Sequence, residues 1–217
     1  IVLAVAILPL LGIGGRQMFK AETPGPMKDS KMTPRMAETA KGLWAVYTLI
    51  SICCVLGYRW AGMTWLDAIM HMFSTMGLGG FSSHDASFGF FDSPAIEAVS
   101  IAFMLIAGCN FATHYVVLSR RSFRPYLTDP EAGAFLLVSV GSVIAIAIFL
   151  DVHGVYPTFS EALRFSAFNV VSIATTTGYA STDYALWPMF APLWMLFLSS
   201  FATSAGSTGG GIKMIRA

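Results

Sequence analysis

The sequence predicts an all-α integral membrane fold built from repeated helix–loop–helix units. Three observations predict it. Of 217 residues, 55% are hydrophobic and 12% charged, with a mean hydropathy of +0.66, whereas soluble domains carry about 25% charge. Apolar runs recur at 43–58, 96–118, 132–150 and from 188 to near 204, each close to the ~17–25 residues that cross about 30 Å of hydrocarbon. Between them lie two similar polar stretches that carry glycine: Leu78-Gly79-Gly80-Phe81-Ser82-Ser83-His84-Asp85 and Thr176-Thr177-Gly178-Tyr179-Ala180-Ser181-Thr182-Asp183.

Taken in order, the apolar run 1–13 is too short to cross and begins without Met or a charged leader. It is expected to be the end of a helix begun earlier, and the chain an internal piece of a longer protein. Residues 14–41 read as a polar connector broken by Pro24, Pro26 and Pro34, with Thr33 capping a short helix that has Pro34 at its first position. Arg16, Lys20, Lys28, Lys31, Arg35 and Lys41 crowd this connector, Arg120, Arg121 and Arg124 follow the run ending near 118, and Lys213 and Arg216 close the chain. By the positive-inside rule these segments face the cytoplasm. Asp67, Asp85, Asp92, Glu97, Asp151, Glu161 and Asp183 then fall on the opposite side, where an acidic surface concentrates cations. The net charge of +1 gives no reason to expect a nucleic-acid partner.

The first span ends at an aromatic group, Tyr58, Trp60 and Trp65, expected at the membrane interface. Thr64 then caps a helix with Asp67 in its first turn that ends after about three turns at Met76-Gly77-Leu78-Gly79-Gly80. Three turns cannot cross a bilayer, so this segment dips in and returns. Irregular backbone at membrane depth is tolerated only where protein buries it or where it lines water. The same plan recurs from Thr158, through Glu161, to Thr175–Tyr179. The second half-helix is longer by four residues between acid and glycine, about one helical turn, so the same face is kept. An aromatic residue follows each glycine at +1 and an aspartate at +5. A polar glycine hairpin between spans, present twice, is the layout of a pore loop, which makes the units helix–pore-loop–helix.

Ala205-Gly206-Ser207-Thr208-Gly209-Gly210-Gly211-Ile212-Lys213 has the G-x4-G spacing of a phosphate loop, but Ile212 displaces the Lys and Met214 stands where magnesium needs Ser or Thr. A nucleotide site is not expected. Glycine here breaks the last helix and predicts a flexible constriction below the loops. Cys53, Cys54 and Cys109 lie in apolar runs without metal-ligand spacing and read as small reduced core residues. His71 and His114 read as packed, neutral side chains, Asn110 as a hydrogen bonder to a neighbouring helix, and Arg164 as a costly charge with Glu161 as candidate partner.

Thr175-Thr176-Thr177-Gly178-Tyr179, the Gly79–Asp85 loop, Ala21–Pro26 and Ala205–Lys213 closely resemble the TrkH-type potassium uptake proteins of the Trk/Ktr/HKT superfamily. The resemblance covers essentially the whole chain. It implies a potassium-channel-like fold of four helix–pore-loop–helix units, of which this chain holds two loops. Residues 1–41 would be the end of the first repeat and a cytoplasmic connector, 42–119 the second repeat, 120–131 a connector, and 132–217 the third repeat up to its broken helix. It implies K⁺ bound by backbone carbonyls around Leu78, Gly79 and Gly80 and around Thr176, Thr177 and Gly178, with Gly206, Ser207, Thr208, Gly209, Gly210 and Gly211 as an intramembrane gating loop. It also implies a homodimer in the bacterial inner membrane, working with a cytoplasmic nucleotide-binding subunit of TrkA type that contacts inner connectors including 14–41. The sequence departs from the family at Met76-Gly77-Leu78, where small or branched residues are usual, and Gly77 is expected to loosen that side. A secondary transporter with a midplane site would need substrate-specific side chains where these loops carry Gly, Thr and Ser. An enzyme would need clustered His, Asp or Glu within spans, and the runs lack them.

Overall fold

The computed structural model describes residues 36–201 and 203–212, and every regular element among them is helical. The short run 1–13, the Thr33–Pro34 cap, nearly all of the first connector, and Lys213 and Arg216 lie outside the described residues. In chain order come α1 (Met36–Trp60), α2 (Trp65–Met76), a 3₁₀ turn (Ser87–Phe90), α3 (Pro94–Gly108), α4 (Phe111–Arg120), α5 (Arg124–Thr128), α6 (Pro130–Val152), α7 (Phe159–Ala174), a second 3₁₀ turn (Tyr184–Leu186) and α8 (Phe190–Phe201).

Helices α1 and α6 are long and apolar enough to cross a membrane unbroken. Their surface pattern is inverted relative to a soluble helix. Leu49, Ile52 and Leu56 on α1, and Leu137, Val140, Ile144 and Ile148 on α6, are exposed at intervals of three and four residues. That spacing makes one apolar stripe facing outward, which hydrocarbon solvates as readily as a protein core does. The other face of α6 buries Phe135, Ser139, Ile146 and Leu150.

The two half-helices form for local reasons legible in their first turns. Thr64 accepts from Asp67 N at 3.1 Å, and Thr158 from Glu161 N at 3.3 Å, so a hydroxyl cap and a third-position acid start each helix. At 12 and 16 residues they reach only about 18 and 24 Å at 1.5 Å per residue. Helix α7 is the centre of the assembly, packing on α3, α6 and α8, while α1 packs on α2, α3 and α4. Phe88, Phe168, Tyr58 and Tyr179 fill the space between the two units, each fully buried. Tyr58 is therefore a core residue; of the expected interfacial aromatic group only Trp60 and Trp65 are exposed.

The run 96–118 reads as one crossing in the sequence, yet it is two helices bent by 97° at residues 109–110. Asn110 stops the first and starts the second by accepting from Ala112 N at 2.9 Å. It caps its own helix and does not bridge to another through that bond, as the sequence suggested. Hydropathy cannot show this break, because Ala107, Gly108 and Cys109 are as apolar as their neighbours. The free carbonyls at the bend are satisfied by the glycine-rich segment: Ser204 N reaches Gly108 O at 3.1 Å and Thr208 N reaches Ala107 O at 3.3 Å. An inserted segment that takes over helix carbonyls is an established cause of a kink.

Candidate functional site

Both half-helices run into loops with one backbone pattern. Leu78 and Gly80 have φ of 49° and 70°, and Thr176 and Gly178 have φ of 60° and 89°, while the residue between each pair stays at negative φ. A backbone whose φ changes sign at each residue can keep successive carbonyls on one side, where an extended strand alternates them. Glycine at 80 and 178 meets this at no steric cost. Leu78 and Thr176 adopt it against their side chains, a strain tolerated where the surroundings over-determine it.

The amides explain that over-determination. Leu78 N bonds Thr75 O at 3.2 Å and Gly79 N bonds Ser74 O at 2.8 Å; Thr176 N bonds Ile173 O at 2.9 Å and Thr177 N bonds Ser172 O at 2.8 Å. Each loop thus folds its N–H groups back onto its own half-helix, as helix C-terminal motifs do. Among the described residues, no hydrogen bond reaches the carbonyl oxygens of Leu78, Gly79, Gly80, Thr176, Thr177 or Gly178. Past the glycine of the second loop, pairing resumes: Ser172 donates to Tyr179 O at 2.7 Å and Gly89 N to Ala180 O at 3.3 Å. Gly77, expected to loosen the first loop, instead closes α2 with φ −83° and its N–H on Phe73 O at 3.0 Å.

The structure brings the two loops together. A Cβ placed on Gly80 would overlap the Thr177 carbonyl oxygen and lie 3.2 Å from the Gly178 carbonyl carbon. A set of buried hydroxyls then ties loop to neighbouring half-helix. Tyr179 donates to His71 O at 3.2 Å and lies 3.2 Å from Thr75 Oγ1, which also bonds the Tyr58 hydroxyl at 2.7 Å. Thr175 and Thr177 share a hydrogen bond at 2.7 Å, and Asn169 holds Ser181 through both its amide atoms. Phe81, the sequence counterpart of Tyr179, is 82% exposed. The repeat is therefore shared by the backbone but not by these two rings.

On the outer side of the first loop, Asp67 gathers Thr64 Oγ1 at 2.6 Å, Ser83 Oγ at 2.8 Å and His84 Nε2 at 3.2 Å. The Thr64 hydrogen bond foremost, with those of Ser83 and His84, holds its carboxyl below the usual carboxylate range. His71 sits within hydrogen-bond reach of Asp67 O through Nδ1 and of Ser82 Oγ through Nε2, at 2.8 and 2.9 Å. A ring with a carbonyl on Nδ1 and a hydroxyl on Nε2 is satisfied as a neutral side chain, and His114 is likewise buried, between Ile106 O and the Tyr126 hydroxyl. Arg164 does not pair with Glu161. It forks onto buried Glu97 at 2.7 and 2.8 Å and reaches Asp92 at 2.8 Å, pinning α7 of one unit to the start of α3 in the other. Sequence spacing missed this because the partner lies 67 residues away. Cys54 and Cys109 are buried, Cys53 is exposed, and all three are free. Among the described residues no His, Cys, Asp or Glu cluster could hold a metal.

The glycine-rich segment passes beneath the second loop. Gly210 N donates to Thr176 Oγ1 at 2.7 Å, and Gly210 O accepts from Thr203 Oγ1 at 2.9 Å. Its flank is held by Ala205 N on Glu131 Oε2 at 3.1 Å and by Gly206 O, which accepts from Phe111 N at 3.3 Å. Glu131, Thr75 and Asn169 were not singled out by the sequence. Glu131 had a detectable signal, a carboxylate immediately before an apolar run.

Repeated half-helices, paired loops and outward apolar stripes define a helical, multi-pass membrane protein. The whole chain, residues 1–217, matches the family described as TrkH, cation transport protein. The chain belongs to that family, whose members are transport proteins and not enzymes, and it is a multi-pass protein of the inner membrane. It is 49% identical over 216 residues to the Trk system potassium uptake protein TrkH of Salmonella typhimurium, covering 100% of this chain and 45% of the relative. It is 44% identical over 216 residues to the Trk system potassium uptake protein TrkG of Escherichia coli K12, covering 100% and 44%. The crystal structure of the potassium transporter TrkH from Vibrio parahaemolyticus superposes with a TM-score of 0.82 at 44% identity, covering 99% of this chain and 43% of that one. The chain thus spans less than half the length of the relatives it matches.

Proposed function

We propose that this chain forms part of a potassium uptake protein in which K⁺ passes between re-entrant loops and is bound by backbone carbonyls of residues 78–80 and 176–178. One observation carries the reading: two abutting loops share the same alternation of φ sign, and among the described residues their carbonyls have no hydrogen-bond partner while the amides of Leu78, Gly79, Thr176, Thr177 and Gly178 turn back onto their half-helices. Potassium is a large, weakly hydrated cation whose water shell a ring of carbonyl dipoles can replace. The half-helices end at the loops, so their partially negative C-termini favour a cation there. Residues 206–211 lie below the loop and serve as the gate. The remaining carbonyl ligands would come from the repeats that this chain does not hold. A homodimer and a cytoplasmic nucleotide-binding partner of TrkA type, docking on inner connectors, complete the proposed assembly.

The test is growth at low potassium of cells lacking potassium uptake, supplied with the full-length gene. Rescue is expected, and Gly178→Ser should keep uptake while weakening discrimination against sodium, because a hydroxyl crowds the carbonyl ring. Unchanged K⁺/Na⁺ selectivity in that variant would count against the carbonyl assignment. Rescue that depended on an added nutrient would favour a secondary transporter for another solute.

A further inference from the structure

We propose that the Thr176 side chain is a positioning residue that latches the glycine-rich segment to the inner end of the second loop. The inference rests on the reading of 176–178 as part of the ion path and assigns that path a mechanical link to its gate. The three consecutive threonines do different work. Thr175 Oγ1 bonds Val171 O and Thr177 Oγ1 at 2.8 and 2.7 Å, so those two hydroxyls are used within the loop. The Thr176 hydroxyl leaves the loop and takes the Gly210 amide at 2.7 Å. Thr176 does this at φ 60°, a conformation that is a genuine outlier for a β-branched residue.

The rest of the segment is anchored elsewhere. Residues 204–208 bond the bend between α3 and α4 and Glu131, and Ile212 N bonds Ser200 O at 2.9 Å. Between these anchors Gly210 is exposed, and its peptide is held by Thr203 on one side and Thr176 on the other. The counterpart of Thr176 in the first loop is Leu78, which has the same backbone conformation and no hydroxyl. Of the two loops described, only the second therefore carries the latch, and displacing the segment removes the donor from a strained loop residue. Coupling of this kind is reciprocal: whatever shifts the loop shifts the segment by the same factor.

Amide hydrogen exchange of residues 203–212 and K⁺ flux are measured on the purified full-length protein in liposomes, with no partner protein added. Thr176→Val keeps the shape and removes the acceptor. Exchange of the segment and unstimulated flux should both rise roughly three- to tenfold, as expected for losing one net hydrogen bond. Thr176→Ser restores the acceptor and should restore slow exchange. If the Val variant does not fold, Thr176→Ala removes the hydroxyl together with the branched crowding and should give the same rise. Equal exchange in the acceptor-free and Ser variants overturns the latch, whatever Gly178→Ser does to selectivity. Faster exchange in the acceptor-free variant alone, with selectivity unmoved by Gly178→Ser, would uphold the latch and sink the carbonyl reading instead.

Discussion

Replacing Gly80 by alanine should force the two loops apart, while the same replacement one residue earlier should be absorbed. At Gly80 two costs add. The backbone sits at φ 70°, where an L-residue pays about 1–2 kcal/mol. The new Cβ would also overlap the Thr177 carbonyl oxygen and lie 3.0 Å from its carbon. That neighbour is backbone of the other loop and cannot turn aside, so overpacking adds about 1–3 kcal/mol. The expected total is about 2–5 kcal/mol, delivered where carbonyl spacing matters most. At Gly79, by contrast, φ is negative, and a Cβ would meet the Phe81 ring at 3.3 and 3.5 Å. That ring is 82% exposed and can swing away, so the cost should stay below about 1 kcal/mol. The assay is thermal unfolding of the full-length protein with and without K⁺, together with competition between K⁺ and Na⁺ for uptake. Gly80→Ala should lower the melting temperature, shrink the K⁺-dependent rise and relax selectivity. Gly79→Ala matching or exceeding it on all three readouts would refute the reasoning.

Arg164→Gln leaves buried Glu97 without its guanidinium fork and should cost about 3 kcal/mol; adding Glu97→Gln should recover much of the lost melting temperature. Tyr179→Phe removes the hydroxyl that reaches Thr75 and His71 across the two units. It should destabilise by about 1–2 kcal/mol, read by thermal unfolding, with Na⁺ competing more effectively for uptake. Because the Asp67 carboxyl is held below its usual range, its contribution is fully present above the ordinary carboxylate pKa of about 4 and is lost as pH falls through the lowered folded value. The protection of the amides at residues 82–84, taken relative to the intrinsic exchange rate at each pH, should therefore be flat from about pH 7 to 5 and fall below roughly pH 4, and Asp67→Asn should remove that acid-dependent step.

Much of the candidate site was legible because it is made of main chain. Glycine at 80 and 178, the capping pairs Thr64–Asp67 and Thr158–Glu161, and half-helices too short to span are local properties, and local properties are written in consecutive residues. The failures share a cause as well. Arg164 was matched to Glu161 because i−3 is visible in a sequence, whereas Glu97 becomes a neighbour only when α7 packs against α3. Tyr58 was placed at an interface by its composition, yet Thr75 and Phe88 draw it into the core. Gly77 was read as looseness, yet it is the residue that closes α2, with its N–H on Phe73 O.

Apolar runs, caps and glycine positions by themselves determined a helical membrane protein with two half-helix units, since each follows from burying or breaking a hydrogen-bonded backbone in a medium that supplies no partners. Only the tertiary structure decided that the run 96–118 bends by 97°, that the glycine-rich segment supplies the amides which the bend needs, and that Thr176 meets Gly210. Those facts depend on polar groups finding partners far along the chain, 34 residues away for Gly210 and Thr176 and roughly a hundred for the carbonyls of the bend, and no periodicity within a single segment records such a pairing.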